Sequence, residues 1–560
     1  MAQPKSGAVS SGAKVKTAAN ALTTTLAVIG AIVGLNVIFT RVSTWRFDLT
    51  EDRVYKLSKV SKETVSSLPD RMVAKVFVSG ALPPPLNAYG QYIRDLLEEY
   101  AAASGGKLTW EAIDPTAPGK DAEETRKNRE EFRSKYKIRP ITLEVLKENK
   151  LEIGSDNFLA VALIYGEQIE SIPQVASTEG LEYQVTSLMR KLIRAKQKKL
   201  GFATSEGALS PQQGLQVVSR IAQDYEAVPV QLDKPVPEDL DALMVIGPKQ
   251  PFNDKAKYYL DQHLMRGKGL GLFVDGMVIE APQGMQMPGM DTPRLGRAND
   301  VALEDLLGKY GIKLREDLIL DEQNAPGPVP VEGQLYLANY PTFVGIAKQG
   351  LAEKFDLTNH LEALILPFAS SVELVGEAKE GKAPVKITPL IKSSGRSWRQ
   401  NGFFVFNPQV KLERSQEVGP FTLGYALEGK LKSAYPNGPG AGGASTPETE
   451  KTLKEATDQA RLVVVGSSNI FSDNQLPIQQ VPIYRSNLLF FLNTVDWLVH
   501  DEALIALRVK GMGARPLTIP PDAKPNFWRY VLQIGIPALV TLLGLVLWRI
   551  RTSRRRAATV

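Results

Sequence analysis

No cysteine occurs anywhere in the 560 residues. That absence excludes disulfides, thiolate-bound zinc, iron–sulfur clusters and a cysteine nucleophile. Histidine is nearly as scarce. His263, His360 and His500 are isolated and none lies in an HExxH pattern, so neither a histidine-built metal centre nor any cofactor is expected. Acidic residues are missing from two short stretches. Residues 1–19 hold Lys5, Lys14 and Lys16 without an acid, and residues 549–560 hold Arg549, Arg551, Arg554, Arg555 and Arg556 without one. The formal net charge of +6 therefore belongs to the tails, and the region between them is close to neutral. A nucleic-acid surface needs basic residues spread over a domain face, so nucleic acid is not an expected partner.

What is present is two long uncharged runs. The first spans residues 20–40, with Leu26 through Phe39 as its apolar heart. The second spans 530–548, with Trp528 and Tyr530 at one end and Trp548 at the other. About 20 apolar residues cross a hydrocarbon core of about 30 Å, and aromatic residues gather at its interfaces. Each run reads as a membrane helix. A cleaved signal peptide is the competing reading of the first, but no A-x-A-like site follows it. Basic flanks stay in the cytoplasm. The tails 1–19 and 549–560 are therefore expected in the cytoplasm, with everything between the helices outside it. Gly30 and Gly34 form a GxxxG and Asn36 adds a polar group, so these three are candidates for packing on a partner helix.

Periodicity divides the outer region into two blocks. In the first, residues 46–177, Ser58 reads as the cap of a helix through Val65. Strands follow at 72–79, 108–113, 141–146, 158–165 and 168–172, with helices at 87–102 and 122–136. The order β-α-β-α-β-β suggests a thioredoxin-like α/β unit, although the redox CxxC is absent. The second block, residues 178–510, alternates strand and helix, as a parallel sheet covered on both faces requires. Its expected strands are 199–204, 228–232, 242–246, 269–274 and 461–465, and its expected helices 181–196, 214–225, 254–265, 301–310 and 486–500. Residues 331–430 read as a β-rich insertion, 281–297 as a loop rich in Pro, Gly and Met, and 435–450 as a linker. Residues 511–529 connect the block to the second membrane helix.

Chemical motifs are few. Gly376 to Ala383 almost fits a P-loop, but Ala383 and Pro384 stand where a Ser or Thr and a helix are needed, so a charged hairpin tip is expected there. Gly267, Gly269 and Gly271 precede a strand rather than follow one, opposite to a dinucleotide fingerprint. No GxSxG or SxxK pattern stands out. Parallel α/β sheets bind ligands at the carboxyl ends of their strands. Ser205, Glu206 and Asp275 fall on such ends and are the candidate ligand-facing residues. Glu280 and Asp291 could join Asp275 in a carboxylate cluster.

The run from Arg46 to Ser58 (RFDLTEDRVYKLS), just after an apolar helix, resembles the opening of GldG-type proteins, auxiliary components of a bacterial ABC transporter class associated with gliding motility. The resemblance continues at Leu181–Leu192, Pro237–Phe252, Arg461–Asn469 and Asn493–Leu498. It implies an ABC transporter permease and a separate cytoplasmic ATPase as partners, beside the lipid bilayer, with two copies in a hetero-oligomer. It also implies that 181–509 resembles a domain shared with an intraflagellar-transport component and related in fold to class I glutamine amidotransferases. Those enzymes use a nucleophilic cysteine that this chain lacks, so a non-catalytic descendant is expected. A membrane-anchored envelope hydrolase and a purely structural envelope protein are the alternatives.

Overall fold

The computed structural model describes residues 30, 56–80, 82–84, 86–117, 122–141, 144–147, 150–153, 157–193, 197–222, 224–280, 294–331, 334–406, 413–439, 452–473, 484–502, 504–505 and 531–557. Elements are numbered along the chain. Helix α1 (Lys59–Ser66) leads into β1 (Met72–Val78), α2 (Leu86–Ala103), β2 (Leu108–Ile113), α3 (Ala122–Tyr136), the hairpin β3 (Glu144–Lys147) and β4 (Lys150–Ile153), then β5 (Leu159–Tyr165), β6 (Gln168–Ile172) and α4 (Leu181–Ile193). Ser58 caps α1 as expected: its hydroxyl accepts the N–H of Ser61 at 3.1 Å. The strands form one sheet in the order β2-β1-β5-β6. β1 and β2 are parallel, whereas β5 runs antiparallel to both β1 and β6. Instead of one strand over 141–146, the chain makes an isolated bridge at Ile141 and the separate hairpin.

Helix α4 packs with this first sheet. Leu181, Val185, Met189 and Leu192 recur at helical spacing and enter the same core as Met72, Leu97 and Val161. The sequence reading places this helix in the second block. Periodicity reveals that a helix has an apolar stripe, but not which sheet the stripe faces.

Beyond it come β7 (Lys199–Ala203), α5 (Gln216–Ile221), β8 (Glu226–Val230), β9 (Ala242–Ile246), α6 (Asp254–Met265), β10 (Gly269–Phe273), β11 (Met277–Glu280), β12 (Arg294–Ala298), α7 (Glu304–Lys309), β13 (Ile312–Leu314), β14 (Asp317–Asp321), β15 (Asn324–Val331), β16 (Gln334–Ala347), β17 (Ala363–Pro367), β18 (Val372–Leu374), α8 (Gly376–Lys379), β19 (Lys386–Lys392), β20 (Ser397–Asn401), β21 (Phe404–Phe406), β22 (Thr422–Gly429), β23 (Ala460–Val465) and α9 (Arg485–Leu498). A seven-stranded sheet in the order β19-β22-β23-β10-β9-β7-β8 organises this part. β8, β7, β9, β10 and β23 are parallel, and β22 and β19 extend one side antiparallel. β9, β10 and β23 are buried along their whole length, as central parallel strands must be. Met244 and Ile246 point into a core with Phe490, Phe491 and Trp497 of α9. Leu243 and Val245 point into another with Leu260 of α6 and Leu306 of α7.

Two expectations change here. Part of the β-rich stretch is not an insertion, because β19 and β22 belong to the large sheet. The P-loop-like segment is not a hairpin tip. It is the single helical turn α8 followed by Gly381 at φ +70, joining β18 and β19, which lie in different sheets. The remaining strands make small sheets: β11-β12-β21, β15-β16-β17, β13-β18 and β14-β20. β15 carries proline at 326, 328 and 330 and pairs only with β16 among the described residues. Proline has no N–H to offer, and edge strands tolerate it for that reason.

The chain divides into two units, Met1–Gly511 and Met512–Val560. In the second, a π-helical turn (Val531–Gly535) runs into α10 (Ile536–Ala557). Gln533–Ile550 is long and apolar enough to cross a membrane, and is the one such helix among the described residues. Its Leu539, Leu542 and Trp548 are each more than half exposed. Of the first apolar run, only Gly30 is described. It is helical, with nothing within 4 Å of where a Cβ would sit. Gly34 and Asn36 lie outside the described residues.

Candidate functional site

The carboxyl ends of β7, β9, β10 and β23 carry the turns in which the candidate residues sit. After β7, Ser205 Oγ accepts the N–H of Leu232 at 3.2 Å, tying the turn to the end of β8. Glu206 has a left-handed φ of +53. Its carbonyl accepts the N–H groups of Lys249 and Gln250 at 2.9 and 3.0 Å, which joins the turns after β7 and β9. Its Oε2 is buried with no hydrogen-bond partner among the described residues. These two strands are where the parallel order reverses direction, the usual place for a crevice in an open α/β sheet.

Asp275, immediately beyond β10, is buried. Its Oδ1 accepts the Ser468 N–H at 2.6 Å and its Oδ2 the Ser468 hydroxyl at 2.5 Å, with Asn469 Nδ2 3.3 Å away. Burial pushes its carboxyl up to about 6, against the pull of the Ser468 hydrogen bonds. Glu280 stands apart from it and is exposed, paired with Lys249 at 2.7 Å and Arg297 at 3.7 Å. Asp291 lies outside the described residues. Ser205, Glu206 and Asp275 thus share one edge of the sheet, and Asp275 works chiefly as a clamp on the turn after β23.

That clamp occurs three times among the described residues. Asp317, at the start of β14, receives the N–H and hydroxyl of Ser371 at 2.7 and 2.6 Å. Asp321, at its end, receives the N–H and hydroxyl of Ser394 at 2.8 and 2.6 Å. In each case the serine is the second of a Ser-Ser pair just after a strand: 370–371, 393–394 and 467–468. The first serine of each pair donates to a main-chain carbonyl, of Asp317, Phe421 or Pro367. A carboxylate buried this way has both oxygens satisfied without a cation. Asp317 also has one: Arg399 Nε lies 2.7 Å away, and that guanidinium reaches Glu373 and Glu417 as well. Burial raises the Asp317 carboxyl, while Ser371 and Arg399 oppose the rise.

Ser370 closes the edge between β10 and β23. Its N–H donates to Gly466 O at 2.6 Å and its hydroxyl accepts the Gly276 N–H at 2.9 Å. A Cβ on Gly276 would sit 1.9 Å from Arg315 O, and one on Gly466 would sit 2.0 Å from Ser370 O. Glycine is required at both because backbone meets backbone. Sequence reasoning missed this plug and the serine clamps. The repeated Ser-Ser after an apolar strand was the available signal.

His263 is a core residue. Its Nε2 lies 3.1 Å from Gly269 O, its Nδ1 has no hydrogen-bond partner among the described residues, and burial pushes its pKa down to about 3. Among the described residues no group of three or more His, Asp or Glu side chains is placed to hold a metal ion.

Comparison with known proteins places this geometry. A domain of unknown function matches residues 51–164. An uncharacterized protein of Borreliella burgdorferi is 25% identical over 531 residues, covering 92% of this chain and 94% of that protein. The solved N-terminal domain of mmIFT52 aligns with 54% of this chain and 97% of its own length, at 12% identity and a TM-score of 0.31. The model of a family described as an ABC-type uncharacterized transport system matches residues 197–499, which takes in the whole large sheet from β7 to β23 and α9. The chain belongs to that family.

Proposed function

We propose that this chain is a non-catalytic auxiliary subunit of a bacterial ABC transporter of the gliding-motility, GldG type. The observation that carries the reading is the family match over 197–499 together with an apolar helix, Gln533–Ile550, that runs on toward Arg554, Arg555 and Arg556. ATP is hydrolysed by a separate cytoplasmic subunit, and a separate permease provides the pathway. Residues 20–40 and 530–548 are the two membrane helices, both tails are cytoplasmic, and the body is periplasmic. Positive-inside orientation supports that topology. Gly30, Gly34 and Asn36 pack against the permease. Two copies per complex follow from the two-fold symmetry common in such assemblies.

Within the body, the order β2-β1-β5-β6 with β5 antiparallel supports a thioredoxin-like unit over 46–177. The parallel order β8-β7-β9-β10-β23 supports a Rossmann-like, amidotransferase-related unit within 178–510, from β7 onward, since α4 packs with the first sheet. The edge with Ser205, Glu206 and Asp275 faces a substrate or envelope component, and its place at the carboxyl ends of the parallel strands supports that reading.

Purification in mild detergent tests the reading. Co-expressed with the permease and ATPase encoded beside it, the chain is expected in one complex with both. If it elutes alone as a monomer, the proposal fails.

A further inference from the structure

The small sheet β15-β16-β17 has two edges of opposite character. β15 carries Pro326, Pro328 and Pro330 at alternate positions, in register with Asn339, Leu337 and Leu335 of β16. In an antiparallel pair, opposed residues alternate between those that exchange both N–H···O bonds and those that exchange none. Proline has no N–H to exchange. The bonded pairs are therefore Gly327 with Ala338, Val329 with Tyr336 and Val331 with Gln334, and the prolines turn their main-chain groups outward. The Pro326 carbonyl agrees with that direction, since it accepts the Tyr484 hydroxyl at 2.9 Å. The outer edge of β15 thus has no N–H at three successive outward positions, which bars strand addition there.

The same alternation turns the N–H and C=O groups of Leu335, Leu337 and Asn339 to the other side of β16. β17 occupies that side only along Phe343–Ala347, and the Phe368 N–H takes the Thr342 carbonyl. No described residue pairs with the outward groups of Leu335, Leu337 and Asn339. Residues 336–339 are exposed in succession, so neither face of this stretch is covered, and Leu337 is 42% exposed. Glu332 is the one charged residue in 324–347. Proteins blunt free edges with charge or proline. β15 is blunted along its length, whereas β16 meets its first proline only at Pro341.

We propose that this edge is an interface between two copies of the chain, paired antiparallel through β16 about a two-fold axis at Leu337. Leu337 faces its own counterpart and Leu335 faces Asn339 of the second copy, each pair exchanging both main-chain bonds. A two-fold interface brings a surface against itself. Like charges directly opposite each other oppose strand pairing, and Gln334–Tyr340 carries none. The inference stands apart from the transporter reading, because it requires neither permease nor ATPase.

The test uses the full chain in detergent. Because no cysteine occurs in it, Leu337→Cys places the only thiol on the axis. Residues opposed in a bonded antiparallel pair have Cα atoms about 5.5 Å apart, within the range that a disulfide spans. Mild oxidation should convert this variant to a covalent dimer. Asn339→Cys is the control, because its two copies lie four residues apart along the pair, about 13 Å, beyond disulfide reach. Leu337→Lys sets like charges on the axis, and Leu337→Pro removes the outward N–H, as β15 does. In light scattering, each should lose the dimer that the unsubstituted chain forms. Circular dichroism should stay unchanged, because the bonds of β16 to β15 do not involve residue 337. Equal crosslinking at 337 and 339 overturns the proposal, since it reveals random collision. A dimer that survives both Leu337→Lys and Leu337→Pro overturns it too, as does an unsubstituted chain that elutes as a monomer. A crosslink from Leu337→Cys to a different protein makes that protein the occupant and sinks the pairing of copies.

Discussion

The joint at α4 and the carboxyl edge of the large sheet both bury carboxylates, and they hold them differently. At the edge, one serine supplies an N–H and a hydroxyl to the two oxygens of one aspartate, and the device is repeated at Asp275, Asp317 and Asp321. At the joint, Glu182 gathers donors from another helix, and hydroxyls of Ser61, Thr186 and Tyr100 relay the contact across three helices. The edge clamps set the path of turns whose strands are already fixed by the sheet ladder. The joint sets the orientation of whole helices, between residues 86 to 125 apart in sequence. Breaking the first should loosen a loop. Breaking the second should free an element.

Variants can sharpen that contrast. Asp317→Ala should be the most damaging, by about 3–5 kcal/mol, because it strips a buried guanidinium of one partner and leaves the Ser371 N–H and hydroxyl hydrogen without their acceptors. Urea unfolding of the full chain in detergent measures it. Glu182→Ala should cost about 2–3 kcal/mol through two orphaned donors. Unlike the edge variants, it should raise hydrogen exchange along the whole of α1. Ser468→Ala should cost about 1–2 kcal/mol, with exchange rising only near 466–470, since the N–H to Asp275 survives. A global exchange response to Ser468→Ala would erase the distinction between clamp and joint.

The smallest effect is a change of pH slope. The folded Asp275 carboxyl lies near 6, above its ordinary value, so the folded state binds the proton more readily than the unfolded one. Its contribution to stability is therefore complete at low pH and is lost as pH rises through about 6. His263 acts oppositely. Held neutral down to about 3, it withdraws stability as pH falls below the ordinary histidine range. Asp275→Asn removes the first contribution and leaves the second, so stability should fall more steeply between pH 6 and 4 than in the wild type. Chemical denaturation across that range measures the slope.

Much of the architecture was legible. Ala242–Ile246 and Asp254–Met265 match their expected bounds residue for residue, because alternation of strand and helix within short stretches is a local signal. Gly214–Tyr225 was expected as one helix, but only Gln216–Ile221 is helical. There the turns at both ends are set by long-range bonds, such as Asp473 to the N–H groups of Gln216 and Val217. The candidate edge was legible as a place, since Ser205, Glu206 and Asp275 were found by strand order. Their jobs were not, because Ser468, which occupies Asp275, lies 193 residues away.

The sequence by itself determined the apolar run at 530–548, the parallel strands at the centre of the large sheet and the absence of thiol chemistry. Each depends on composition or on periodicity within one element. Only the tertiary structure decided that β19 and β22 join the large sheet, that α4 sides with the first one, and that serine pairs far apart in the chain close three buried aspartates. Those outcomes depend on which apolar face meets which, and on donors that find their acceptor only once the backbone has folded back on itself.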